Sequence, residues 1–358
     1  MMRALCVGIA CALAATTAAR AEEPFYAGKR LTLLINFAPG GPTDVEGRLL
    51  AKHIAKHIAG NPPIIVQNKD GASGMVGALY LGEIGPRDGS MFGYLTGTAW
   101  NSVVDPGAFR VDFRSYAFVG AQAGNAVYYI RSDTPPGMQR PADLMKAENL
   151  VVGGLGADSS KDLLERLTFD MLGLNYRYVT GYRSSNTARL ALQNGEINVH
   201  SESTPGYFSV VEPSLVKTGK VLPLWYDATY DGKDFAPIKA MDGKGIATFP
   251  EFYQSVKGGG TPSGPLWEAY KTNLAVDAQM LRLVAMPPDS PPAAVAALRA
   301  ALVALNDDKD YAADAMTAIQ FVPRYEVSAD LDKVIRDRLT IAPAMHDFIA
   351  GYMKKVAR

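Results

Sequence analysis

The sequence predicts an α/β protein in two lobes, each a mainly parallel sheet flanked by helices. Three observations carry that expectation. Short apolar runs such as Leu31–Phe37, Met91–Thr96 and Leu281–Met286 read as strands covered on both faces. Several such runs lead through a glycine-rich turn into apolar residues at helical spacing. The chain has 358 residues and is 48% hydrophobic, enough for two domains of ordinary size.

The first unit is the clearest. After the strand Leu31–Phe37 come Ala38-Pro39-Gly40-Gly41-Pro42, where glycines let the backbone turn sharply and approach a ligand, and prolines stiffen the bend. Thr43-Asp44-Val45-Glu46 has the form of a capping box. Val45, Leu49, Leu50, Ile54 and Ile58 then recur at helical spacing, and Gly60 stands where the helix should stop. A helix N-terminus at the carboxyl end of a strand is an anion site. The same stretch also fits a tight turn that binds nothing. No Gly-Lys-Ser/Thr follows and the glycines do not form G-x-G-x-x-G, which disfavours a nucleotide.

The chain opens with Met1-Met2-Arg3, an apolar stretch from Ala4 to Ala15, and Ala19-Arg20-Ala21. This is the pattern of a secretory signal peptide cleaved at about Ala21, with residues 1–21 removed and the mature protein periplasmic. About 12 apolar residues are too few to span a bilayer, which needs ~20. Both cysteines, Cys6 and Cys11, lie in this leader, and Gly8-Ile9-Ala10 before Cys11 makes a poor lipoprotein box. The mature chain then has no disulfide, zinc–thiolate site or cysteine nucleophile. Removing Arg3 and Arg20 leaves 34 basic residues against 36 acidic, a balance that points to neither nucleic acid nor a membrane surface.

Further along, Ile64–Asn68 reads as a second strand, Lys69–Gly74 as a polar loop, and Met75–Leu81 as a helix. Pro86-Arg87-Asp88-Gly89 is turn chemistry, and the third strand ends in Gly97-Thr98-Ala99-Trp100-Asn101, read as a small polar loop beside an aromatic. Three strand ends on one sheet edge would make a crevice.

Phe37-Ala38-Pro39-Gly40-Gly41-Pro42-Thr43-Asp44 with Arg48, Asn68-Lys69-Asp70-Gly71-Ala72-Ser73-Gly74, and Pro86-Arg87-Asp88-Gly89 resemble the signatures of the tripartite tricarboxylate transporter substrate-binding proteins, the Bug family. The resemblance runs over most of the mature chain and is sharp from about Tyr26 to Thr98. It implies a type II-like periplasmic binding protein of the Venus-flytrap kind, with no cofactor, no metal and no catalytic residue. It also implies ligand contacts at Phe37, Ala38, Gly40, Gly41 and Thr43, with Ala72, Ser73 and Gly74 opposite, largely through backbone groups and ordered water. Asp44 is either a ligand residue or a structural acid on the helix dipole.

In the second half, Phe118–Ala123 and Ala126–Ile130 read as a strand that crosses over, and Val221–Tyr226 as the crossing back. This divides the mature chain into lobe 1, residues 22–124 with 228–358, and lobe 2, residues 125–227. Val151–Gly153 leads through Gly156, Asp158, Ser159 and Ser160 into a helix over Leu163–Leu172, repeating the opening logic. Tyr176–Val179 leads to a turn holding Tyr182, Arg183 and Ser184, and Ile197–His200 ends at Ser201. All of these are candidate ligand residues; Arg183 either pairs a carboxylate or is solvated. Here the family pattern loosens. Its Gly-Ser-x-x-His is replaced by Asp158-Ser159-Ser160-Lys161-Asp162, and its Val-Pro-Tyr-x-Gly by the longer Val179–Ser184. The stretch Asp231–Ala275 departs most, and Gly258–Pro265 reads as loop; helices over Ala294–Leu305 and Leu331–Arg338 pack back on the first lobe.

Three functions follow for comparison. The first is a monomeric solute-binding protein that closes on a small organic carboxylate and, by resemblance, delivers it to integral-membrane transporter subunits. The second is a ligand-sensing subunit for a signalling partner. The third is a secreted hydrolase, for which His200 beside Ser201 and Glu202 is the one testable base, because no Gly-x-Ser-x-Gly elbow is present. His53 and His57, spaced i, i+4, have a metal-compatible spacing without a third ligand, and their neighbours Lys52 and Lys56 suit a solvated face.

Overall fold

The structure, a computed structural model, describes residues 23–356, so the predicted leader and its cleavage site lie outside the described residues. Strands β1 (Leu31–Ile35), β2 (Ile64–Asn68), β3 (Met91–Leu95) and β4 (Ala117–Gln122) join β12 (Arg282–Met286) in one sheet, ordered β2-β1-β3-β12-β4. Strands β5 (Ala126–Arg131), β6 (Leu150–Gly153), β7 (Tyr176–Val179), β8 (Val199–Ser203) and β9 (Val221–Tyr226) form the other, ordered β7-β6-β8-β5-β9. The two orders are the same plan. In each sheet four strands run one way and one runs against them, β12 between β3 and β4 and β5 between β8 and β9. Phe118–Ile130, expected to cross over as one strand, is therefore split: β4 closes the first sheet and β5 opens the second. A small hairpin of β10 (Thr229–Tyr230) and β11 (Phe235–Ala236) follows β9.

The helices are α1 (Pro42–Ile54), α2 (Met75–Glu83), α3 (Thr98–Val104), α4 (Ser160–Leu172), α5 (Ser185–Asn194) and the single turn α6 (Thr204–Gly206). They continue with α7 (Phe249–Val256), α8 (Pro265–Asp277), α9 (Pro292–Leu305), α10 (Lys309–Ile319), α11 (Leu331–Arg338) and α12 (Pro343–Val356). The glycine- and proline-rich stretch after β9 thus holds two helices that composition concealed. α7 is opened by a capping box in which Thr248 Oγ1 accepts from Glu251 N and Glu251 takes the Thr248 N–H; α8 starts at Pro265. α7 packs on β9, and α8 lies between α4 of the second lobe and α3 and α12 of the first. The largest apolar cluster accordingly runs from Leu81 and Trp100 through Tyr270 and Leu274 to Leu167 and Trp225. α9 and α11 pack on β4, and α10 on α1.

The expected capping box at Thr43 does not form. Pro42, whose ring presets helical φ, starts the helix two residues earlier, so the N-cap is Gly41 without a side-chain bond. Glu46 is freed for another task and is fully buried, its carboxylate held by Arg282 Nε at 2.9 Å and by Gln122 Nε2 at 3.1 Å. α1 also ends early, at Ile54, before a 3₁₀ turn over Ala55–His57. His53 and His57 do not face a common point: their Nε2 atoms lie 2.8 Å from Asp314 and 2.8 Å from Asp308, docking α10 on α1. No group of three or more His, Cys, Asp or Glu able to hold a metal ion occurs among the described residues, and no helix there is long and apolar enough to cross a membrane.

Arg282→Met should strongly destabilise the fold, because it leaves the Glu46 carboxylate buried without its cation, at a cost of about 3–5 kcal/mol. Urea unfolding measures the loss, and the Glu46→Gln/Arg282→Met double variant should recover part of it. A single variant as stable as wild type would show that the pair does not hold α1 to the sheet.

Candidate ligand-binding site

The carboxyl ends of β1, β3 and β6 face one another across a cavity of about 80 Å³. From the first lobe Phe37, Ala38, Gly41, Pro42, Thr43 and Ser73 border it, and from the second Ser159, Ser160, Lys161, Ser184, Ser185 and Ser203. Three helices begin at this cavity: α1 at Pro42, α4 at Ser160, and α5 just after its N-cap Ser184, whose hydroxyl accepts from Thr187 N. Helix N-termini carry unpaired N–H groups and the positive pole of the helix dipole. Three positive helix poles thus meet at this cavity.

The first glycine loop is fixed from beneath. Asp44, in the first turn of α1, accepts from Gly40 N at 2.9 Å, from Asn68 Nδ2 at 2.8 Å and from Arg48 Nε at 2.9 Å. Although burial raises an acid's pKa, these donors together hold the Asp44 carboxyl below its ordinary range. Its charge is spent inside the loop, and Asp44 does not border the cavity. Gly40 carries the positive φ of the turn, +79°, while Gly41 is extended. Asn36, which sequence reasoning passed over, ties the strand ends together: its Nδ2 donates to the carbonyls of Gly74 (3.0 Å) and Thr96 (2.9 Å), and its Oδ1 accepts from Thr96 N (3.0 Å). A Cβ at Gly74 would stand 2.5 Å from that Nδ2, so only glycine fits. Ala72 and Ser73 are both left-handed, with φ of 45° and 51°, which turns the Ser73 carbonyl to Asn101 Nδ2 at 3.3 Å.

The second lobe repeats the device. Asp162, in the first turn of α4, accepts from Gly156 N and from the Tyr178 hydroxyl, both at 2.9 Å. Lys161 precedes it; its Nζ donates to Ser201 O (2.8 Å) and Ser201 Oγ (3.2 Å) and lies 3.5 Å from Asp162 Oδ1. The motif departure that replaced a histidine pattern thus places a lysine at the cavity.

Of the other residues singled out in the sequence, several stand apart from the cavity wall. The stretch Gly97–Asn101 is not a loop: α3 begins at Thr98, both Thr98 and Trp100 are buried, and Trp100 packs in the core. Thr96, Gly97 and Asn101 border the cavity from this segment instead. β8 runs on to Ser203, so Ser201 lies inside the strand, fully buried. Tyr182 packs on the second lobe's apolar cluster and Arg183 is exposed. Ala72 and Gly74 shape the second loop from behind Ser73. Gly156 and Asp158 sit on the loop before α4, where exposed Asp158 accepts from Ser73 Oγ across the lobes at 3.2 Å. A second bond across the mouth runs from Asn186 Nδ2 to Gly40 O at 2.7 Å.

His200 is fully buried with Nδ1 2.7 Å from Gly153 O, and burial pushes its pKa well down. The Ser201 hydroxyl beside it donates to Glu165 at 3.1 Å. Neither side chain reaches the cavity, and the cavity-bordering residues include serines but no histidine. The pair that the hydrolase alternative named, His200 with Ser201, lies away from the cavity.

Two five-stranded sheets of one plan, each with a reversed strand, and a cavity between them define the class: a two-lobed periplasmic-binding-protein fold. No protein-family model matches the sequence. A UPF0065 protein from the TAR-I ttuE–ttuC' intergenic region of Agrobacterium vitis is 27% identical over 185 residues, covering 50% of this chain and 52% of that one. The chain thus spans about half the length of the curated relative it matches. Solved structures match far more of it. The periplasmic binding protein BugD has a TM-score of 0.64 at 16% identity, covering 92% of this chain and 97% of its own. Rpa4515 from R. palustris with adipate gives 0.65 at 18% identity, covering 91% and 97%. MatC from Rhodopseudomonas palustris with bound malate gives 0.61 at 18% identity, covering 89% and 98%. At these identities the likeness is one of fold. The described residues take the fold of the Bug-type periplasmic binding proteins, the family that the glycine-loop motifs resemble.

Burial beneath α4 makes stability depend on pH. Desolvation is the main cause that pushes the Glu165 carboxyl from an ordinary 4.5 up to about 8. The folded state then keeps a proton that the unfolded state releases, so stability falls as pH rises between those two values. Melting temperatures across that window should decline more steeply for wild type than for Glu165→Gln, which is neutral throughout. Parallel curves would show that Glu165 titrates normally.

Proposed function

We propose that this protein is an extracytoplasmic solute receptor. It captures a small carboxylate-bearing metabolite between its lobes and delivers it to the integral-membrane subunits of a tripartite secondary transporter. The observation that carries the reading is the convergence of three helix N-termini, from both lobes, on one cavity bordered by hydroxyl groups and Lys161. The two acids nearest the loops do not oppose this, because Asp44 and Asp162 each take a glycine-loop N–H of their own lobe. Two structures with this fold carry malate and adipate, both small carboxylates. We assign lobe 1 to residues 22–124 with 228–358 and lobe 2 to 125–227. The receptor works in the periplasm as a monomer after its leader is removed near Ala21, and it binds without transforming its ligand.

Isothermal titration of the purified protein with a panel of mono-, di- and tricarboxylates tests the reading. One-to-one binding of at least one acid is expected, with the acid recovered unchanged. Lys161→Met should weaken that binding by about 10- to 100-fold, as expected for a charge-assisted bond worth ~1.5–3 kcal/mol. If no carboxylate binds, or if Lys161→Met binds as wild type does, the site has been misplaced.

A further inference from the structure

Behind the cavity lies an inner chamber of about 40 Å³. Ser160, Lys161, Ser203, Asp277 and Leu281 border both spaces, so a ligand in one abuts the other. The chamber differs in electrostatic character from the cavity in front. α8 ends at Asp277, so the chamber meets a helix C-terminus, the negative pole of a dipole, with a carboxylate added to it. An acid at that position is unfavourable unless a cation answers it.

Among the described residues no cation pairs with it directly, although Arg282 lies near enough to favour its charge. Arg282, which borders the outer cavity, is spent on buried Glu46. Lys161 Nζ donates to Ser201 near Asp162 and makes no bond to Asp277. Asp227, the other acid bordering the chamber, takes the hydroxyls of Tyr128 and Tyr270 at 2.7 and 2.8 Å. Asp277 Oδ1 is buried without a hydrogen-bond partner, and so is Asn125 Oδ1, on a residue 4% exposed. Both residues border the chamber. Two buried acceptors without donors beside a helix C-terminus call for a group that brings several N–H bonds and a positive charge. Burial pushes the Asp277 carboxyl up to about 6, against the opposing effects of Ser160 and Arg282.

We propose that the ligand is an amino-carboxylate, with its carboxylate under the three helix N-termini beside Lys161 and its ammonium against Asp277 in the inner chamber. This rests on the carboxylate-receptor reading and narrows it. A dicarboxylate would bring a second negative charge toward Asp277, whereas a zwitterion matches both poles.

Matched probes test it by titration calorimetry at neutral pH: aspartate against malate, and 6-aminohexanoate against adipate. The amine-bearing member of at least one pair should bind at least about tenfold tighter than its partner. Asp277→Asn keeps the shape of the side chain, and its melting curve checks that it folds. In that variant the preference should shrink to within about threefold while carboxylate binding persists. Tighter binding of malate and adipate by wild type would overturn the amino-carboxylate assignment and leave the receptor reading standing. A preference that survives Asp277→Asn would also overturn the assignment, as would loss of all binding in a folded variant. Binding of none of the four probes, nor of any acid in the wider panel, would overturn both.

Discussion

The buried pair between Glu46 and Arg282 sets the terms for the rest of the molecule. It joins α1, which carries the first glycine loop, to β12, the reversed strand of the first sheet, and through Gln122 to β4. Tyr94 on β3 completes the chain by donating its hydroxyl to Gln122 Oε1 at 3.2 Å. Taking two charges out of water is costly, and such a pair contributes more to fixing one arrangement than to net stability. What it fixes here is the position of a helix N-terminus over the carboxyl end of the sheet. It also decides the charge of the site, because Arg282 borders the cavity with its guanidinium already committed. Attraction for an anion then falls to backbone N–H groups and to the one Lys161 N–H not given to Ser201.

Both lobes solve the same local problem in the same way. A glycine loop that must offer N–H groups to a ligand has to be held still without using those groups up. In each lobe an aspartate in the first turn of the following helix accepts one loop N–H, Gly40 for Asp44 and Gly156 for Asp162. The acid sits where the helix dipole favours it, and its charge is balanced before a ligand arrives. Three N-termini can therefore face an anion although two carboxylates lie close behind. The repetition of this device in two sheets of one strand order makes the site pseudo-symmetric while its side chains differ.

Much of this was legible in the sequence because strands covered on both faces leave continuous apolar runs, as β1, β3 and β12 do. The edge strands β2, β7 and β9 also fall where the sequence predicts, and the glycine loops mark the sheet edge that holds the cavity. What escaped has physical causes. α7 and α8 lie in a stretch whose glycines and prolines read as loop, although Pro265 opens a helix and Thr248 with Glu251 caps one. Ser201 and Glu202 look like a solvated strand end because they are polar. They are buried through partners distant in sequence: Glu165 and Lys161 for Ser201, and Arg189, at 2.5 Å, for Glu202. Asn36 is one polar residue at the end of an apolar run, and nothing local announces that it ties β1 to the second glycine loop at Gly74 and to the end of β3 at Thr96. Lys161 was visible only as a departure from a family pattern, and Asp277 only once α8 was seen to end at the cavity.

The balance between open and closed lobes follows from where their contacts lie. Across the mouth the lobes meet through few and exposed bonds, Ser73 to Asp158 and Asn186 to Gly40. Each such bond contributes about 0.5–1.5 kcal/mol, too little to hold two lobes shut against solvent. Behind the cavity the lobes share one apolar cluster, threaded by α8 between α4 and α3. Opening at the mouth therefore breaks little, while separation at the back would expose a core. A ligand needs to add only a modest differential contact to shift the population toward closure. It makes that contact by touching both lobes at once, which α1 on one side and α4 and α5 on the other provide.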